Sequence, residues 1–149
     1  MAFQRVPKEV LLKYRYPDPA LKGQYKVLNF ILIGIVGIFI IFRVLLYKTI
    51  FIELVAHWFS GSALQTAGGI IFLVNTAMLI LMIWIIKLLF SFDARAYTLL
   101  IILSIISISN IIKLDILSIV LVIASLGLSL FLKKKLFPNI PIFGYIPKQ

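Results

Sequence analysis

Glu53 and His57 stand four residues apart, one helical turn, which lets their side chains hydrogen-bond. With Thr49 and Ser60 they recur at spacings of 4, 4 and 3, so all four fall on one helical face. Imidazole titrates near neutrality, and such a pair could form a pH-sensitive contact. It lacks a third partner, however, and the plainer reading is the polar stripe of an amphipathic helix over residues 49–60. Trp58 suits that reading, since tryptophan anchors at headgroup depth.

Other chemistry finds few residues to use. His57 is the only histidine and the chain has no cysteine. A two-histidine haem site therefore cannot be assembled within the chain, and a transition metal at Glu53 and His57 finds no third ligand in sequence reach. Met78 and Met82 share a helical face but read as packing residues. No G-x-S-x-G elbow, phosphate-binding loop or dinucleotide-binding glycine pattern occurs. No catalytic, cofactor-binding or metal-binding residue is assigned, and an enzyme is not expected.

The surrounding sequence explains this poverty. The chain is 62% hydrophobic with a mean hydropathy of +1.13, against about 45–50% apolar for a soluble domain. Between Val27 and Leu132 the only acids are Glu53, Asp93 and Asp115. Proton relays and ion paths place such groups deep in their spans; here each acid falls in a loop or at a span end. The pattern predicts an all-α integral membrane protein of four transmembrane helices, over residues 27–47, 68–90, 94–112 and 115–132. A short interfacial amphipathic helix over 49–60 follows the first. A basic N-terminal segment (1–26) and a basic, then proline-rich tail (133–149) flank this membrane domain, and 149 residues suggest one compact unit. The late start of the apolar sequence argues against a cleavable signal peptide.

Within the spans, Gly34 and Gly37 offer a place for another helix to approach. Arg43, one turn from a span end, is expected to snorkel to the interface. Asn75 is expected to hydrogen-bond to another helix. Asp93 and Asp115 read as N-caps. Ser104 with Ser107, and Ser125 with Ser129, form small-residue stripes suited to close helix packing. Lys133, Lys134 and Lys135 read as a stop signal and contacts for anionic lipid. The prolines of the tail exclude a helix there. Pro138, Pro141, Phe143 and Tyr145 make it greasy enough to lie on a partner or fold back on the protein.

A net charge of +10, dispersed at span ends, fits lipid headgroups and the cytoplasmic side of a membrane better than nucleic acid. Counting lysines and arginines places both termini in the cytoplasm, at a cell membrane or an equivalent organellar inner membrane. The expected function is a non-catalytic accessory subunit of a larger multi-subunit membrane complex, for example an energy-converting or oxidoreductase assembly. Its expected partners are other integral membrane subunits. One alternative is a small homo-oligomeric channel or transporter, its path lined by Asn75, Arg43, Lys87 and the serines. A second is a viral or membrane-shaping protein.

Overall fold

A computed structural model describes residues 8–58, 64–109 and 116–143, and every regular element among them is an α-helix. The first, α1 (Lys8–Arg15), stops ahead of Pro17, which disfavours helical geometry in the residue before it. Pro19 starts the next element. In α2 (Pro19–Gln24) Asp18 is the N-cap, its carboxylate accepting from the Ala20 amide at 3.0 Å. Pro19 sits where a missing N–H costs nothing.

The long apolar runs form four helices. Lys26–Trp58 is one uninterrupted helix of 33 residues, α3, with no break between a span ending at residue 47 and an interfacial helix at 49. No Gly or Pro lies between residues 38 and 58, so a change from apolar to striped surface alters the environment and leaves the hydrogen-bond ladder intact. α4 (Leu64–Phe90) begins before Gly68 and Gly69. α5 (Ala94–Ser109) is a 16-residue helix. α6 (Ile116–Leu136) runs one turn past residue 132, so the three lysines are helical. The expected Asp115 cap and the α5–α6 connection lie outside the described residues.

Three stretches are long and apolar enough to cross a membrane: Lys26–Leu45, Phe72–Phe90 and Ile116–Leu136, with hydropathies of 2.6, 2.3 and 2.4. α5 contributes a shorter apolar stretch, Ala94–Ser107. At 22%, 22% and 28% buried, the three long stretches turn most of their apolar surface outward. Ile116, Val120, Ile123 and Phe131 of α6 are all exposed. Water would not tolerate so much apolar surface, but lipid or an apolar partner would.

The chain divides into two compact units, Met1–Ile35 with Ile85–Gln149, and Val36–Trp84, rather than the single one its length suggests. In the first unit α5 and α6 pack along a seam. On α6 the buried residues Val122, Ser125, Ser129, Leu132 and Leu136 recur at spacings of 3 and 4, the period of antiparallel helix packing. Tyr97, Leu100, Ile101 and Ser104 are buried on α5. Ser104 and Ser125 meet with their hydroxyls 3.5 Å apart, and their small volume admits close approach. Gly34 and Gly37 behave differently, since a Cβ built at either would meet nothing within 4 Å.

Candidate functional site

The richest polar cluster lies in the first unit, around the turn from α4 to α5. The turn itself closes by two backbone bonds: Phe92 N–H to Leu89 O at 3.0 Å, and Asp93 N–H to Leu88 O at 3.0 Å. This pairing is a Schellman motif, whose penultimate residue must adopt left-handed geometry. Glycine usually fills that place. Here it is Phe92, at φ 54°, a conformation costing an ordinary residue roughly 1–2 kcal/mol. Two interactions compensate. The ring is buried at 4% exposure, and the Lys22 ammonium lies 5.1 Å from its centroid, within cation–π range.

The turn delivers Asp93 to the start of α5 as the expected cap, Oδ1 accepting from the Arg95 amide at 3.0 Å. The same carboxylate holds two guanidinium groups. Arg95 donates from Nε to Oδ1 at 3.1 Å and from Nη2 to Oδ2 at 2.9 Å. Arg15, at the end of α1, donates from Nε to Oδ2 at 2.6 Å. Asp93 is fully buried while both arginines are about one-third exposed. Burial pushes the Asp93 carboxyl up from its ordinary range, and the Arg15 guanidinium opposes that push. Its hydrogen bond to Asp93 in turn raises Arg15.

One layer inward, Asn29 fastens three helices together. Its Nδ2 donates to Leu89 O at 2.9 Å, and its Oδ1 accepts from the Tyr97 hydroxyl at 2.7 Å. The buried amide thus uses both ends, as a polar group in an apolar setting must. The Tyr97 ring packs 5.7 Å from Phe137 beyond the end of α6. Tyr25, just before α3, meets Phe131 of α6 edge-on at 6.0 Å. These contacts gather the start of α3, the end of α4, the start of α5 and the end of α6 at one end of the unit.

In the second unit a polar pair joins two helices. Arg43 of α3 donates from Nη1 to Asn75 Oδ1 of α4 at 2.7 Å. The expected interhelical bond of Asn75 is therefore present, and its partner is the arginine expected to snorkel. Phe51 and Phe72 pack nearby in sequence, with ring centroids 6.2 Å apart.

The other residues singled out from the sequence are dispersed. Glu53, His57 and Trp58 lie in the last turns of α3, which keeps positions 53 and 57 one turn apart; their side chains lie outside the description. Lys133 is buried at 1% exposure and its ammonium donates to the Thr98 hydroxyl of α5, so it is internal to the protein rather than facing lipid. Lys134 and Lys135 are exposed. Pro138 is exposed in a turn, Pro141 is half-buried and Phe143 is 65% exposed. Tyr145 lies outside the described residues. The tail's non-helical course holds through residue 143.

Sequence reasoning did not single out Asn29, Tyr97 or Thr98. An amide just inside an apolar run was the available signal for Asn29. Among the described residues no group of three His, Cys, Asp or Glu side chains could hold a metal. No protein-family model matches the chain, and neither curated proteins nor solved structures yield a similar one.

Proposed function

We propose that this chain is a non-catalytic helical subunit of a larger membrane assembly. One observation carries the reading: polar side chains within the apolar helices are engaged in holding helix to helix. Asn29 binds α4 and α5, Arg43 binds Asn75 and Lys133 binds Thr98. Groups used in this way fix a packing arrangement and leave little for chemistry or conduction.

The topology proposed with it has four crossings, α3 to α6. α5 is about 24 Å long at 1.5 Å per residue, short for a ~30 Å core. Its seam with α6 and its shared end with α3 and α4 support its crossing alongside them. The end where the four helices gather carries Lys13, Arg15, Lys22, Lys26, Lys87, Arg95 and Lys133–Lys135 against Glu9, Asp18 and Asp93. That excess supports a cytoplasmic placement of this end, and with it both termini, facing anionic lipid. Exposed apolar surface on α3, α4 and α6 supports other membrane subunits as partners.

Proteoliposomes containing this chain alone test the reading against a small channel or transporter. A subunit gives no ion or solute flux above empty vesicles. Flux that disappears on Asn75→Ala or Arg43→Gln overturns it.

A further inference from the structure

The basic end contains a cleft that nothing above uses. It has a volume of about 560 Å³ and lies between the α1–α2 junction and the turn after α6. Tyr14, Tyr16, Phe137 and Pro138 form its walls, with Leu21 and Leu136 also lining it and Lys13 exposed. We propose that this cleft binds an anionic phospholipid, its phosphodiester headgroup beside Lys13 and its glycerol and first acyl carbons against the apolar lining. The proposal rests on the reading of this end as the one facing anionic lipid.

Position argues for a lipid. α6 is apolar from Ile116 to Leu132 and then basic at Lys133–Lys135, and Leu136, one turn past the apolar run, lines the cleft, so the opening lies at headgroup depth. Tyrosines are characteristic of that depth, where an apolar ring meets a wet hydroxyl. Charge argues for an anionic one. Lys134 and Lys135 are exposed in the last turn of α6, next to Leu136, and Lys13 lines the cleft opposite. Asp18 is the single acid in the lining. Its Oδ1 is occupied by the Ala20 amide. The volume falls in the range of small-molecule sites, about 300–1,000 Å³.

Native mass spectrometry of the full chain in mild detergent tests this, with phosphatidylglycerol and phosphatidylcholine as probes. The chain is expected to retain one phosphatidylglycerol in preference to phosphatidylcholine. Lys13→Gln should weaken retention about fivefold, the ratio equivalent to ~1 kcal/mol for a lysine near anionic lipid. Lys87→Gln removes a charge at the same end but outside the cleft, and should change retention little. Equal weakening by both variants overturns the cleft and leaves the lipid-facing end standing. No preference for phosphatidylglycerol at all overturns both. Displacement of the lipid by inorganic phosphate overturns the lipid as the ligand and makes a free phosphate the occupant.

Discussion

Arg15 and Asp93, 78 positions apart in sequence, meet at 2.6 Å, and this contact ties the N-terminal helix to the turn between α4 and α5. The two ends of the pair are unequal. Arg15 is 31% exposed and Asp93 is fully buried, with Arg95 on the same carboxylate. Asp93→Asn removes the acceptor charge from both guanidinium groups, which stay partly exposed, and should lower unfolding stability by about 1.5–2 kcal/mol, as losing hydrogen bonds to a charged group does. Arg15→Gln leaves Arg95 in place and should cost about 1 kcal/mol or less, in the range of partly exposed pairs. Thermal unfolding in detergent orders the two. A larger loss from Arg15→Gln would contradict the arrangement.

Phe92 reverses the usual ranking of glycine and alanine. Both Phe92→Ala and Phe92→Gly remove the buried ring, at about 3–5 kcal/mol. Alanine retains the left-handed strain and glycine relieves it, so Phe92→Gly should be the more stable variant by about 1 kcal/mol. Equal stabilities would mean that the strain is not stored at this position.

The Arg43–Asn75 bond predicts a non-additive pair. Asn75→Leu alone removes a hydrogen-bond acceptor from a guanidinium inside an apolar helix. Arg43→Leu with Asn75→Leu removes both groups. Coupling across membrane helices runs to about 0.6–2 kcal/mol, so the double variant should recover stability relative to Asn75→Leu. A double-mutant cycle in detergent measures this, and simple additivity would contradict it.

The α5–α6 serines separate packing from conduction. Ser129 Oγ is buried and has no hydrogen-bond partner among the described residues. Ser129→Ala should therefore be neutral or raise stability, by up to about 1 kcal/mol. Ser125→Leu overfills the seam and should cost about 1–3 kcal/mol. Tolerance of Ser125→Leu in thermal unfolding would mean that the helices do not meet there.

The tail yields a prediction about assembly. Ile140 is buried at 5% exposure, whereas Ile142 and Phe143 are exposed. Removing residues 141–149 spares the buried anchor, so the shortened chain should insert normally and lose its partners on purification. Unchanged co-purification would place the partner surface elsewhere.

Much of this fold is legible in the sequence because long apolar runs have few structural solutions. The Asp93 cap is legible for a local reason, a carboxylate immediately before a new apolar helix. The continuity of α3 is not. The stripe from Thr49 to Ser60 describes what surrounds a helix and says nothing about whether its backbone breaks. Lys133 reads as one of three equivalent lysines, but its position on the α6 seam buries it, while Lys134 and Lys135 turn outward. Asn29 and Tyr97 lie 68 residues apart, and no local pattern announces a bond between them. Phe92 runs against its own conformational preference, and only the closing hydrogen bonds of the turn reveal why.

We propose that this chain works as one subunit among others. Purification from its native membrane in mild detergent, with native mass and identification of what travels with it, tests that most directly. That reading predicts different membrane subunits in fixed stoichiometry with the 16.9 kDa chain. A species containing only copies of this chain would contradict it and make the small channel or transporter the better reading.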